Sequence, residues 1–183
     1  MKGVYVLVIT VSKDIEVEVG ALGKIDFKKG SYAYVGSAQK GLENRVSRHL
    51  TGVRHRNFWH VDYLLDNDFA KVAKVFYKVA DKSVECKIAE KLKKKGVPMA
   101  NFGCSDCTCE SHLFKITDYD FLGDFMSEIQ LHGTTTITND TLTQEMYAHC
   151  AADYLRSPTD PVQLRSTSRF ADQSIPVNLF SWM

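Results

Sequence analysis

The first part of the chain consists of short runs in which apolar residues either follow one another or alternate with polar ones. Residues 3–10 are β-branched or aromatic with few interruptions, which is typical of a buried strand. Residues 15–19 alternate apolar and acidic side chains, as a half-exposed strand does. These patterns and the turn residues between them predict strands over residues 3–10, 15–19, 25–27, 31–35, 71–79 and 112–116.

Other segments show helical spacing. Leu42, Val46 and Leu50 recur every four residues, which predicts an amphipathic helix over residues 41–50. Helices are also predicted over residues 58–66, from Asp81 or Ser83 to the stop signals at Gly96 and Pro98, over 121–131 and over 142–156. This order of elements predicts an α+β fold, with a small central antiparallel or mixed β-sheet flanked by helices.

Charge divides the chain into two parts. Up to Lys115 there are 20 Lys and Arg against 13 Asp and Glu, whereas from Ile116 onward there are 3 against 9. We therefore expect a basic domain over residues 1–117, followed by an acidic C-terminal extension over residues 118–183. A basic domain favours a partner that carries phosphate, such as nucleic acid.

Composition also limits the setting of the protein. No run reaches the roughly 18 apolar residues of a membrane helix. The first apolar run, Val4 to Ile9, is too short for a secretory signal. Of five cysteines, three are crowded between Cys104 and Cys109, unlike a secreted disulfide framework. We therefore expect a reducing, cytoplasmic location and no membrane partner.

Five residues with reactive side chains recur in an ordered set. Tyr5 ends the tripeptide GVY, Tyr34 begins the tripeptide YVG, Arg45 and His49 share the first helix, and Glu85 lies early in the third. Phosphodiester hydrolysis needs a base, a cation near the phosphate, and a metal held by a carboxylate. Two tyrosines on neighbouring strands can flank one water, provided that nearby positive charge lowers their pKa from about 10.

This ordered set resembles the GIY-YIG nuclease superfamily, and most of all an archaeal-type branch that is sometimes fused to endonuclease-III-like repair enzymes. The likeness covers about the first 117 residues and is carried by GVYVL, GSYAYVGSA, RVSRHL, FWHVDYLL, VECKIAEKL and FGCSDCTCESHLF. The resemblance implies a small central antiparallel sheet between helices. It also implies that Tyr5 and Tyr34 are the active-site tyrosines, Arg45 the catalytic arginine, His49 its neighbour in the site, and Glu85 the ligand of one Mg²⁺ or Mn²⁺.

The function implied by the resemblance is that of a metal-dependent endonuclease that hydrolyses phosphodiester bonds. DNA is favoured over RNA as its substrate, DNA repair is the implied setting, and a repair protein is the implied partner. The residues alone leave two other functions open. One is a nucleic-acid-binding module without catalysis, and the other is a zinc- or thiol-based regulatory domain.

The sequence departs from the superfamily pattern in two ways. Valine replaces isoleucine in both tripeptides, which conserves shape. In addition, 28 residues separate Tyr5 from Tyr34, where the resemblance implies a much shorter link. The added length holds a predicted hairpin over residues 17–27, which either packs on the sheet edge or covers the site.

A basic patch is predicted at and after the first helix. Arg48, Arg54, His55 and Arg56 are candidates for contacts with nucleic-acid phosphates. Aromatic rings at residues 58–59 follow directly, and such rings can stack on unpaired bases, although Trp59 itself is predicted to belong to the core.

A run of cysteines suggests a second metal site. Cys104, Cys107, Cys109 and His112 offer four ligands within nine residues, which suits a structural, tetrahedral Zn²⁺. Cys86 or His60 can supply a ligand from elsewhere. A turn of reduced thiols and a reversible disulfide are the alternatives.

Overall fold

A computed structural model describes residues 1–51, 57–130 and 139–156 of the chain, with only the backbone described at residues 139 and 149–156. The strands are β1 (Gly3–Val11), β2 (Ile15–Glu18), β3 (Lys24–Phe27), β4 (Gly30–Ala38), β5 (Ala70–Lys78), β6 (Gly96–Pro98), β7 (Leu113–Ile116) and β8 (Ser127–Ile129). The helices are α1 (Leu42–Thr51), α2 (His60–Leu65), α3 (Ser83–Lys93) and α4 (Asn139–Arg156).

Six of these strands form one antiparallel sheet in the order β6-β7-β4-β1-β5-β8. Strands β2 and β3 pair with each other as a separate hairpin. Helices flank the sheet, so the α+β fold predicted from the sequence is confirmed, and its sheet is antiparallel rather than mixed.

Strand β1 lies at the centre and is buried on both faces. Its even-numbered residues from Val4 to Val8 face one core, and its odd-numbered residues from Tyr5 to Ile9 face the other. This explains its nearly continuous apolar sequence, because a strand covered on both sides has no solvent-facing positions to alternate.

Two layers cover the sheet. Helices α1, α2 and α4 and the hairpin pack on the face that carries Tyr5, and their contributions include Leu42, Leu64 and Phe27. Helix α3 packs on the opposite face through Ile88 and Leu92. The four-residue apolar spacing of α1 and α3 places these side chains on one stripe of each helix, which is the stripe that meets the sheet.

The chain beyond residue 117 differs from the sequence expectation. The helix predicted over residues 121–131 is wrong, because a short 3₁₀ turn over Asp120–Asp124 is followed by β8, which pairs with β5. Leu122 and Met126 are buried against the sheet. The sheet and its core therefore extend past residue 117, where the sequence pattern placed the end of the domain.

Strand β6 was also not predicted, since Gly96 and Pro98 act as stop signals for α3. Three residues are too few to show a period, and β6 forms only because it pairs with β7. A Cβ at Gly96 would lie 2.6 Å from the Lys115 carbonyl oxygen, so the close approach of the two backbones requires glycine there.

Helix α4 closes the first core. Leu142 and Met146 are buried, and the Tyr77 hydroxyl donates a hydrogen bond of 2.9 Å to the Met146 carbonyl oxygen. Of the helices in the described ranges, none combines the length and apolarity needed to cross a bilayer.

The packing of α4 predicts that Met146→Ala lowers the free energy of unfolding by about 2–4 kcal/mol, because it leaves a cavity at a fully buried site. Tyr147→Ala is the matched control on the same turn, since Tyr147 is 54% exposed, and it should change stability by less than about 0.5 kcal/mol. Urea denaturation measures both. Equal effects would contradict the docking of α4.

Candidate functional site

A cleft of about 570 Å³ opens beside the end of β4. Strand β7 pairs with β4 only from Ser31 to Tyr34, so the edge of β4 beyond that point borders the loop that precedes β7. Segments that are far apart in sequence meet there. The side chains that line the cleft include those of Tyr5, Tyr34, Arg45, Trp59, Lys82 and Glu85.

The pairing of β1 with β4 positions the two tyrosines. Tyr5 lies directly opposite Gly36, and the ring centroids of Tyr5 and Tyr34 are 6.4 Å apart. A Cβ on residue 36 would lie 2.6 Å from the Tyr5 hydroxyl oxygen. Glycine at this place therefore leaves the space in which the Tyr5 hydroxyl reaches the cleft, which gives the third residue of the YVG tripeptide a steric reason.

His49 contacts the Tyr5 side chain from α1. Its Nε2 lies 3.0 Å from the Tyr5 hydroxyl oxygen, and its Nδ1 lies 3.4 Å from Oδ1 of Asp62. With the proton on Nδ1, facing the carboxylate, Nε2 is left as the acceptor for the tyrosine hydroxyl. Tyr5, His49 and Asp62 thus form a buried chain that leads away from the cleft.

Asp62 is a fully buried carboxylate whose role was not predicted from the sequence. Its Oδ2 accepts hydrogen bonds from Arg48 at 2.7 Å and from the backbone N–H groups of Phe58 at 2.9 Å and Trp59 at 3.1 Å. Burial opposes its ionisation, but the interactions with His49, the two backbone groups and Arg48 outweigh that effect and lower the pKa of Asp62. Its position in the first turn of α2 was the sequence signal for a carboxylate that caps the helix.

The pKa values of the tyrosines differ from the sequence expectation. Burial raises the pKa of Tyr5 well above its ordinary value, and the opposing effect of Arg45 is smaller. Burial, reinforced by Tyr5 and Glu85, likewise raises the pKa of Tyr34. The described side chains therefore keep both hydroxyls protonated at neutral pH, so Tyr5 can lose its proton only together with transfer to an acceptor such as His49.

Trp59 is half-buried against the first core, and two arginines of α1 contact its ring. The guanidinium carbon of Arg45 is 3.7 Å from the Trp59 ring centroid, and that of Arg48 is 4.5 Å away. Cation–π contact orients Arg45, which is half-buried and borders the cleft. Arg48, a candidate for phosphate contact, is bound to Asp62 in this arrangement.

The lining of the cleft includes an exposed ring and two lysines. Phe58 is 69% exposed, whereas the next residue, Trp59, is half-buried. Lys40 lines the cleft, and Lys82 does too but pairs with Asp106. The remaining candidates for phosphate contact, Arg54, His55 and Arg56, lie outside the described residues.

Glu85 reaches the cleft from the first turn of α3. Its Oε2 accepts a hydrogen bond of 2.6 Å from the Ser37 hydroxyl, and its Oε1 lies 3.2 Å from Nδ1 of His112. The two atoms are close, but their geometry falls short of a full hydrogen bond. Glu85 is thus the residue that connects the cleft to the cysteine-containing loop.

Four side chains beside Glu85 can hold a metal ion. Ligand atoms of Cys86, Cys107, Cys109 and His112 all lie within 4.8 Å of one another. We call this group the Cys3His cluster. Cys86 comes from α3, whereas the other three come from the loop that leads into β7.

The cluster differs in one member from the set expected within the loop. Cys104 lies outside it, because its Sγ faces the Glu110 carbonyl oxygen at 3.7 Å, and Cys86 completes the group. His60, the other candidate from elsewhere, accepts a hydrogen bond of 3.0 Å from the Gly103 backbone N–H. In the cluster, burial and the neighbouring sulfurs raise the pKa of Cys109. This thiol is therefore protonated in the absence of a cation.

The hairpin that lengthens the link between the tyrosines does not border the cleft. Val19 and Phe27 anchor it in the first core, and β2 contacts α2. None of the residues that line the described cleft belongs to it.

The fold and the site define an α+β protein with a tyrosine-lined cleft next to a cluster of potential metal ligands. The chain belongs to the family described as "Domain of unknown function DUF123", whose model matches residues 4–133. No curated protein and no solved structure matches the chain.

The environment of His49 predicts a pH dependence of stability. Burial lowers the pKa of His49 below its ordinary value of 6.5, and Asp62 offsets this only in part. Below pH 6.5 the unfolded state therefore binds more protons than the native state, so stability falls as the pH drops towards the lower native pKa. Urea denaturation between about pH 7.5 and 5.5 should show a larger loss for the wild type than for His49→Gln. Parallel curves would exclude this role of His49.

Proposed function

We propose that the chain is a metal-dependent endonuclease that hydrolyses phosphodiester bonds in DNA. The observation that carries the proposal is the meeting of Tyr5, Tyr34, Arg45 and Glu85, from four separate segments, at one cleft. The GIY-YIG resemblance assigns these same four residues to a nuclease site, and repair of damaged DNA is the setting that this resemblance favours.

Glu85 is suited to hold the divalent cation that the resemblance implies. It is a carboxylate at the cleft, and Mg²⁺ often uses only one or two protein carboxylates, with water and substrate phosphate as its other ligands. Mg²⁺ or Mn²⁺ bound there would offset the negative charge that develops on the leaving oxygen. Ser37 orients the carboxylate by donating to Oε2.

The chain from Tyr5 to Asp62 gives the attacking water a route for its proton. As the water oxygen forms its bond to phosphorus, the water proton passes to the Tyr5 oxygen, and the tyrosine proton passes over 3.0 Å to Nε2 of His49. The bond from phosphorus to the leaving sugar oxygen breaks, and that oxygen takes up a proton from solvent. Because the transfers are coupled, the raised pKa of Tyr5 is no obstacle. Asp62 stabilises the imidazolium that results.

Two further groups can bind the substrate. Arg45 is oriented by Trp59 towards the cleft, where a guanidinium can bind phosphate through two N–H groups. The exposed ring of Phe58 offers a surface on which an unpaired base can stack. This combination favours substrates with locally unpaired strands.

The proposal predicts that the wild type cleaves nicked, branched or single-stranded DNA in the presence of Mg²⁺ or Mn²⁺. Tyr5→Phe, Arg45→Ala and Glu85→Gln should each lower the rate by about 100-fold or more, because each removes a group that acts in the transition state. Rates under single-turnover conditions separate this effect from binding.

Matched controls lie on the same sheet and on the same helix. Tyr32→Phe alters another buried tyrosine of β4, whose hydroxyl donates to the Lys28 carbonyl oxygen outside the cleft. Glu90→Gln alters an exposed carboxylate of α3. Both should keep rates within about twofold of the wild type. A wild type that binds DNA but cuts none of these substrates would replace the proposal with a binding module.

The exposed ring predicts a selective effect on binding. Phe58→Ala should weaken binding of single-stranded DNA by about 1–3 kcal/mol while leaving the single-turnover rate at saturation nearly unchanged. Phe69→Ala, at an exposed ring that contacts Lys13 instead, is the control. Fluorescence anisotropy measures the affinities. Equal affinities of the two variants for single-stranded DNA would show that Phe58 is not part of the binding surface.

A further inference from the structure

The Cys3His cluster has no part in the proposed proton route, yet its four ligand atoms lie close enough together to share one ion. Nε2 of His112 lies 3.4 Å from Sγ of Cys107, and all four ligand atoms lie within 4.8 Å of one another. A tetrahedral zinc ion separates a sulfur and a nitrogen ligand by about 3.6 Å and two sulfur ligands by about 3.8 Å. The observed spacing needs only small adjustments to reach these values.

The local structure fixes three of the four ligands. The His112 backbone N–H donates to the Phe102 carbonyl oxygen at 2.7 Å, and the Cys107 backbone N–H donates to the Cys104 carbonyl oxygen at 3.3 Å. Helix α3 carries the third of these ligands, Cys86. The described cysteines, including the three of the cluster, are free thiols.

We propose that Cys86, Cys107, Cys109 and His112 bind one structural zinc ion, which joins α3 to the loop before β7. Thiolate and imidazole ligands select zinc over Mg²⁺, and four protein ligands leave no open position, as in structural rather than catalytic zinc sites. On binding, the thiols release their protons to solvent and become thiolates.

The zinc ion also positions Glu85. A histidine that binds zinc through one ring nitrogen commonly donates its other N–H to a carboxylate, which orients the ring. In His112, Nε2 faces the cluster and Nδ1 lies 3.2 Å from Oε1 of Glu85. The ion therefore fixes the histidine, and the histidine fixes a carboxylate that lines the cleft. The importance of this link for cleavage rests on the proposed function, whereas the zinc site does not.

The metal content of the purified full chain tests the site. Inductively coupled plasma mass spectrometry should find about one zinc per wild-type chain. Cys86→Ser should lose most of it, because Cys86 is a cluster member. Cys104→Ser is the matched control and should retain it, since Sγ of Cys104 faces the Glu110 carbonyl oxygen instead.

Two results would overturn the site. One is a wild type that is free of zinc, or that holds iron instead, after expression with added zinc. The other is loss of zinc in Cys104→Ser with retention in Cys86→Ser, which would assign the ion to the loop cysteines alone. If Cys86→Ser does not fold, the absorption of the Co²⁺-loaded wild type decides the question. Thiolate charge-transfer bands with strong tetrahedral ligand-field bands support the site, and their absence excludes it.

The link to Glu85 has its own readout, which does not depend on cleavage. Glu85→Gln should lower the zinc affinity by about 10–100-fold in competition with a chelator, the usual effect of removing such a partner. Glu90→Gln, at an exposed position of the same helix, should leave the affinity unchanged. An unchanged zinc affinity in Glu85→Gln would refute the link between Glu85 and the zinc ion, but it would leave the zinc site itself standing. Zinc binding without cleavage would refute only the proposed function.

Discussion

The pairing of β1 with β4 is the constraint on which the rest of the structure depends. Strand β1 is buried on both faces, so a slip of one residue would exchange the side chains of its two cores. The same register sets Tyr5 opposite Gly36, where the missing side chain leaves room for the tyrosine hydroxyl. The stability of the sheet and the geometry of the cleft are thus fixed by one set of backbone hydrogen bonds.

The buried carboxylate of Asp62 holds together the residues that lie behind this cleft. The Asp62 carboxylate draws together a histidine, an arginine and two backbone N–H groups from α1 and the start of α2. A carboxylate without these donors would be strongly unfavourable at a fully buried site. Two of these donors also contact residues of the cleft. His49 contacts Tyr5, and the guanidinium of Arg48 contacts the ring of Trp59. The same interactions therefore stabilise this region and fix the geometry of the site.

Much of this arrangement is encoded in local patterns. The two-residue period of β4 places Tyr34 on one face, and the four-residue period of α1 marks its buried stripe, so both elements were predicted. The role of Asp62 depends on how α1 packs against α2, which no local period reports. The exchange of Cys104 for Cys86 depends on the path of a loop, and the raised pKa of Tyr5 depends on burial by distant segments. In each of these cases the missing information concerned tertiary contacts, which a local sequence pattern does not contain.

The shortness of the two outermost strands of the large sheet affects how readily two copies of the chain can pair edge to edge. Strands β6 and β8 have three residues each, and β6 ends in a proline, which has no N–H to donate. A longer, flatter border would offer a row of unpaired backbone groups to a neighbouring molecule. Strands β6 and β8 themselves each offer only a short ladder. Growth of the sheet from one molecule into the next through these two strands is therefore disfavoured, even though the centre of the sheet is among the most apolar parts of the chain.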